Sequence, residues 1–442
     1  MYLRQGSRKR GDNRDNPAPD PHTAHTDFAA QPCAMEIDGD ATHLPRAELV
    51  KTIVAALPIH PDPEDIAPDG EDAGSESDGG PRLEYITQLE TNCDNKQLAA
   101  ALSSLEINLY STETMDMTGH LKGHSGPLTQ LAFAPSDSSS LFSASEDGTV
   151  RGWDTRSRGT TVSLGKQGEE VYSMALGYDG RLCAAGKDCL IEFYDLRKAG
   201  KPLGIYEECH TDAVTQVKFH PHKRSFMLTG SEDGLMCFLD TEVSIEEDAL
   251  DSVMNAECAI RSVGFFGPEG EGVYCCTNTE TLSLWHAAGA QRIKDFGDVR
   301  ALARGEPPLV DSAAGDDGAG GDADAMVGGA VGGGKEWGVT VDCIVGCQYD
   351  AAADRLRVVT SDYQGGACVA TVTPAAGITP DAVLEAGHTE QIRAFKWMGQ
   401  AIATGGEDAK ICSWRLPGGD GGGDTGDGGG DGDDAMDDDD AR

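Results

Sequence analysis

Short apolar runs set between polar turn residues fill the chain from about residue 83 to residue 416. Gln97–Ala101 and Ile107–Tyr110 predict two strands, and Tyr172–Leu176, Val339–Val345, Arg355–Thr360 and Ala367–Val372 read the same way. Upstream, Leu49–Leu57 is an isolated apolar patch whose composition fits a strand and a short helix about equally. The stretches around it are different. Residues 1–46 are rich in Asp, Pro, Arg and Thr, and such a segment buries too little to offset its ordering entropy. Pro58–Gly80 is Pro-, Asp- and Gly-rich and reads as a linker. The stretch from about Asp298 to Lys335 contains Gly315–Gly321 and Gly328–Gly334 and reads as a flexible surface insertion. Beyond Leu416 the chain is Gly and Asp almost throughout. No run approaches the ~18 apolar residues of a membrane span.

One frame recurs among the apolar runs. It opens at Gly123-His124, continues through Phe133-Ala134-Pro135 and Ser143-Ala144-Ser145-Glu146-Asp147-Gly148, and closes at Trp153-Asp154. It returns at Cys209-His210, with Phe219-His220-Pro221, Thr229-Gly230-Ser231-Glu232-Asp233-Gly234 and Leu239-Asp240. It returns again at Gly387-His388, with Thr404-Gly405-Gly406-Glu407-Asp408 and Trp414-Arg415. His124 and His210 lie 86 residues apart, or two periods of 43. The Asp-Gly pairs suit tight turns, because Gly accepts positive φ and Asp bonds nearby backbone.

A period of about 40–45 residues bounded by Gly-His and Trp-Asp resembles the WD-repeat family of β-propellers. The resemblance implies an all-β fold of four-stranded blades stacked in a ring. Weaker copies of the frame bring the count to seven. Blade 1 has Tyr110-Ser111 in place of Trp-Asp, blade 3 keeps Asp188 and Tyr194-Asp195, blade 5 has Thr279 where the Asp belongs, and blade 6 has Asp362. The family also implies a buried hydrogen-bonded chain in each complete blade. Here the sets are His124/Ser143/Asp147/Trp153 and His388/Thr404/Asp408/Trp414, with His210/Thr229/Asp233 lacking the Trp. A narrower likeness, to the WD repeat-containing protein 89 group, rests on His210–Pro221, the acidic Ile245–Leu250 and Thr404–Ala409.

The expected organisation is a seven-bladed WD-repeat β-propeller over 82–416 with its insertion at about 298–335. It is flanked by a disordered segment (1–46), a ring-closing strand (47–57), a linker (58–81) and a disordered Asp/Gly-rich tail (417–442). The strand at 47–57 is expected because the chain ends after the third strand of blade 7, and proteins avoid a bare sheet edge.

Charge narrows the function classes. The chain has 35 basic and 75 acidic residues, a net charge of −40. The tail contributes −9, residues 1–80 another −9 and 298–334 −5, leaving about −17 on the propeller body. Direct nucleic-acid binding needs Lys and Arg patches and is not expected. Met1–Arg10 is basic but no apolar core follows it, so it does not read as a secretory signal. An intracellular location follows, and the 13 Cys read as reduced thiols.

Candidate chemistry is sparse. A His-Ser-Asp set suggests a hydrolase, but catalytic arrangements do not repeat once per period. Gly329-x4-Gly334-Lys335 opens like a P-loop, yet Glu336 stands where Ser or Thr must bind magnesium. Cys343 with Cys347, or His220 with His222, gives only pairs of zinc ligands where a structural site needs four. The expectation is therefore no enzyme, no metal and no cofactor.

The function expected is a non-catalytic protein–protein interaction scaffold, monomeric within a larger complex. The residue before each turn Asp projects from one face in the family's architecture. Here it is Glu146, Lys187, Glu232, Ser361 and Glu407. Glu146, Glu232 and Glu407 point to a basic partner, histone-like or ribosomal. The alternative is a substrate receptor of a cullin-RING ubiquitin ligase. Trp153-Asp154-Thr155-Arg156 matches the box such receptors present to the ligase adaptor, and Tyr194-Asp195-Leu196-Arg197 nearly does.

Overall fold

The computed structural model describes residues 44–55, 84–198, 200–306 and 336–417. The expected N-terminal segment up to 43, the linker, the tail from 418 and the Gly-rich part of the insertion lie outside the described residues. Seven four-stranded antiparallel sheets make up the body, a seven-bladed β-propeller. The inner strands are Ile86–Thr91, Leu128–Ala134, Ser173–Gly177, Gln216–Phe219, Ile260–Phe266, Cys343–Asp350 and Ile392–Met398. Each touches the next, and the first touches the last, so the ring is closed.

The core follows from this stacking. A blade's strands alternate side chains between two faces, and a neighbouring blade covers each face. The middle strands are therefore buried on both sides and read as continuous apolar runs. Leu98–Leu102 and Gly272–Thr277 are buried throughout. Buried residues fall into seven clusters, one at each junction. Trp153 fills the junction of blades 1 and 2, and Trp414 that of blades 6 and 7.

The outer strand of blade 7 comes from the other end of the chain. Glu48–Val54 pairs antiparallel with Lys410–Arg415, with Thr52 opposite Cys412 and Ile53 opposite Ile411. Just before it, Ala47 N donates to Val383 O of blade 6, while Val383 N donates to Pro45 O. Ile53 packs into the core between blades 7 and 1.

Two segments take forms that the repeat does not dictate. Val299–Ala303, which sequence reasoning placed inside the insertion, is a short helix. Asp298 caps it by accepting from Arg300 N at 2.9 Å. Val299 and Ala303 are buried beside Trp337 and Val341, and this apolar contact holds the helix to the body. In blade 3 the outer strand, Gly204–Tyr206, has only three residues. The acidic Glu246–Ala249 helix supports its end. The Glu246 carboxylate accepts backbone N–H groups from Glu207, Glu208 and Cys209 at 2.7–2.8 Å.

Candidate functional site

Three blades bring their His, hydroxyl and Asp together. His124 Nδ1 lies 2.8 Å from Asp147 Oδ2, His124 Nε2 lies 2.7 Å from Ser143 Oγ, and Trp153 Nε1 donates to Ser143 Oγ at 2.8 Å. The roles follow from what each atom can do. A carboxylate only accepts, so Nδ1–H donates to Asp147. In the neutral ring Nε2 then accepts from the Ser143 hydroxyl, whose oxygen accepts from Trp153. Asp147 also accepts Ser125 N and Thr149 N. Burial opposes its charge, but these donors, the Thr149 hydroxyl and His124 hold it down at about 2. Burial pushes His124 below its ordinary value.

Blade 7 repeats the arrangement. His388 Nδ1 is 2.9 Å from Asp408 Oδ1, His388 Nε2 is 2.8 Å from Thr404 Oγ1, and Trp414 Nε1 donates to Thr404 Oγ1 at 2.8 Å. In blade 4, His210 lies 3.1 Å from Asp233 and 2.7 Å from Thr229, and buried Leu239 fills the Trp position. Blade 5 shows what replaces the missing Asp. Thr277 Oγ1 bonds both Thr279 and Thr281, and Trp285 Nε1 turns to Ser283 Oγ instead.

These sets have the partners of a hydrolase triad without its access. Ser143, Thr229 and Thr404 have no exposed surface. In blades 2 and 7 the Trp N–H already occupies the hydroxyl oxygen. The arrangement fixes the turn to the sheet and offers no nucleophile to a substrate. It also predicts a pH effect. Burial pulls His388 down, yet Asp408 and Cys412 outweigh it and raise the ring to about 9. A folded-state pKa above the unfolded ~6.5 stabilises fully below pH ~6.5 and is lost as pH rises through about 9. Stability in urea should therefore fall between pH 6.5 and 9, by up to about 3 kcal/mol for this group. His388→Asn should flatten that slope, and an unchanged slope would remove His388 as its source.

The turns carry the exposed charge. Strands alternate in direction, so every turn between second and third strands lies on the same face as every connection between blades. The turns between third and fourth strands lie on the opposite face. Gly148 and Gly234 take φ of +88° and +83° in the Asp-Gly turns, a region Gly enters freely. Ala409 takes φ +59° at the matching position of blade 7 and carries the strain of a Cβ there.

Glu146 and Glu232 are exposed, with no ion pair among the described residues. Glu407 is half-buried and holds Arg393, Nη2 to Oε1 at 2.6 Å. Two of the expected projecting residues do not project. Lys187 is buried because Glu192 (2.6 Å) and Glu169 (3.3 Å) draw it inward, and Ser361 has no exposed surface. Sequence reasoning missed the acids in the connections between blades: Glu170, Glu207, Glu208, Asp212 and Glu390 are all exposed on the same face. With Glu146 and Glu232, the first four form an acidic arc across blades 2 to 4. The signal was their closeness to the recurring His, as in Glu207-Glu208-Cys209-His210.

Arg156 and Arg197 occupy equivalent turns of blades 2 and 3 on the opposite face. Each folds back on its own box: Arg156 Nε reaches Asp154 at 3.4 Å, and Arg197 bonds both Asp195 oxygens at 2.8 Å.

The zinc candidates separate. Cys347 Sγ faces Cys276 Sγ at 3.6 Å, while Cys343 Sγ accepts from Gln391 Nε2 at 3.0 Å. His220 Nδ1 accepts the backbone N–H groups of His222 and Lys223, and burial pushes it down to about 4. It closes the turn after the inner strand. The P-loop-like Gly329–Lys335 lies outside the described residues. The described cysteines are free thiols, no group of three or more metal-ligating side chains occurs among the described residues, and no described helix is long and apolar enough to cross a membrane.

Comparison with known proteins agrees with the geometry. The family model described as "WD domain, G-beta repeat" matches residues 115–154 and 200–240. The chain is 32% identical over 355 residues to the WD repeat-containing protein GTS1 of Arabidopsis thaliana, covering 75% of this chain and 81% of the relative. It is 29% identical over 329 residues to the WD repeat-containing protein 89 homolog of Dictyostelium discoideum, covering 74% and 82%. A shorter match, 29% over 149 residues, is to the human EARP and GARP complex-interacting protein 1, covering 33% of this chain and 37% of that one. With its blades, its buried His–hydroxyl–Asp sets and these relatives, the chain belongs to the WD-repeat family.

Proposed function

We propose that this propeller is a non-catalytic interaction scaffold that binds a basic protein, histone-like or ribosomal, through the face carrying its Asp-Gly turns. The carrying observation is the acidic arc over blades 2 to 4. Glu146, Glu170, Glu207, Glu208, Asp212 and Glu232 are exposed on one face with no ion pair among the described residues. Like charges gathered on a rigid surface repel one another, and a cationic partner relieves that repulsion. The acidic regions outside the body add long-range attraction that raises encounter rates. A relative named for interacting with a complex is consistent with such a role.

Salt and charge reversal test the reading. A Lys/Arg-rich peptide should bind the full chain, and affinity should fall steeply as the Debye length shrinks from about 10 Å at 0.1 M to about 3 Å at 1 M. A Glu146→Lys, Glu208→Lys, Glu232→Lys triple variant that melts normally should lose most of the binding. Arg156→Ala with Arg197→Ala alters only the opposite face and should leave peptide binding intact. Equal binding by the triple variant and wild type would reduce the arc to a solvated surface. Loss of a ubiquitin-ligase adaptor from the double Arg variant alone would support the receptor alternative instead.

A further inference from the structure

The central channel has a charge opposite to that of the rest of the molecule. The inner strands enclose a cavity of about 420 Å³. Its charged lining is Lys218, Lys396, Arg261, Arg393 and one carboxylate, Glu90. In a chain of net charge −40 this is a marked reversal. Three of the four cations have partners. Arg261 holds both oxygens of Glu280 at 2.9 and 3.1 Å, Arg393 holds Glu407, and Lys396 Nζ lies 2.6 Å from Glu90 Oε1. Among the described residues Lys218 has neither an ion pair nor a hydrogen bond to its ammonium.

Strand register places the two lysines at equivalent positions of their blades. Lys218 pairs with Leu228 and Lys396 with Ala403, each the residue just before the buried hydroxyl of its second strand, Thr229 or Thr404. The lysines thus stand at one level of the channel, on blades 4 and 7. Gln216 and Gln348 line the same cavity and bring uncharged amide donors from blades 4 and 6.

We propose that this channel binds a small oxyanion of the phosphate class, held by Lys218 and Lys396. Lys218 is half-buried and its ammonium has no direct ion pair among the described residues, and charge-assisted hydrogen bonds are among the strongest that proteins make. Burial pushes the Lys218 ammonium down from its ordinary value. Glu90 partly offsets that shift and Lys396 adds to it. A tetrahedral oxyanion presents oxygens in several directions and can meet donors arriving from blades 4, 6 and 7 at once. A planar monocarboxylate would engage one side only. Closed walls of sheet admit a ligand only along the axis, which excludes a nucleic-acid duplex and favours a free anion.

Calorimetric titration of the full chain with inorganic phosphate and with pyrophosphate, in chloride of matched ionic strength, tests the site. Both anions should release or absorb binding heat and raise the melting temperature with concentration, as any ligand of the native state does. Pyrophosphate should bind more tightly. Lys218→Met should weaken binding at least about tenfold, and Lys218→Arg, which keeps the charge, should retain it. Lys218→Gln serves the same purpose if the methionine variant does not fold. Saturable heat in wild type that vanishes in Lys218→Met supports the site. No heat with either anion, or equal affinity in wild type and Lys218→Met, overturns it. The acidic face repels these probes, so the result is independent of whether that face binds a basic protein.

Discussion

Removing residues 1–60 lowers the melting temperature by roughly 5–10 °C, the shift expected when a few kcal/mol are lost from a body of this size. The cause is the ring closure. Glu48–Val54 supplies the fourth strand of blade 7, and without it Lys410–Arg415 becomes a bare edge. The strand also carries Ile53 into the junction of blades 7 and 1, and Ala47 just before it packs into that of blades 6 and 7. Its loss therefore loosens two junctions and exposes a sheet edge. Removing residues 1–43 alone is the control and should leave the melting curve in place. Ile53→Asp should reproduce part of the loss by placing a charge against Ile86 and Ile411, members of the cluster it joins. A melting curve unchanged by the 1–60 deletion would mean that the strand decorates a ring already held shut by other contacts.

Trp414→Ala costs about 3–5 kcal/mol, read as a fall in the urea midpoint at constant slope. Trp414 is fully buried and packs with Ile402, Cys412 and Trp397 between blades 6 and 7. Its backing is tight: a Cβ on Gly387 would come within 2.5 Å of its ring. Truncation opens a cavity that two sheets cannot collapse to fill. Trp414→Phe separates packing from polarity. It keeps most of the volume but removes the donor to Thr404, which retains His388, so about 1–2 kcal/mol should be lost. If both variants cost the same, the hydrogen bond rather than the ring volume holds the blade. If neither lowers the midpoint, the His388–Thr404–Trp414 chain is incidental to stability.

The legible part of this sequence was its turn chemistry. His124, Ser143, Asp147 and Trp153 sit at spacings that recur because each blade must close the same turn on the same sheet. Where the turn is closed otherwise, as by the three threonines of blade 5, the frame faded while the blade remained. Leu49–Leu57 fitted strand or helix alike from its periodicity. What decides it is an edge some 360 residues away, and no local pattern records that. The Val299–Ala303 helix was obscured by the Gly-rich sequence that follows it, although Asp298 is an ordinary helix cap. Exposure was the weakest reading. Lys187 occupies a turn position that projects in blades 2 and 4, yet Glu192 and Glu169 pull it in. The acidic arc and the channel lysines were hidden for a different reason. Each is assembled from several blades, and it becomes visible only when the ring brings them to one face or one level.

The closing strand also imposes an order on synthesis. Glu48 and Arg415, joined at 3.1 Å in the finished ring, are 367 residues apart. At ribosomal rates of about 5–20 residues per second, Leu49–Val54 leaves the ribosome roughly 20–70 s before its partner strand exists. Through that interval the strand is an apolar segment with nothing to pair with, while blades 1 to 6 form behind it. Glu48 and Lys51 place charges beside and within that apolar run, a pattern that disfavours pairing with other chains. The blade that fastens the molecule is thus the last to be completed, and a chain stalled before residue 410 has no partner for its first strand.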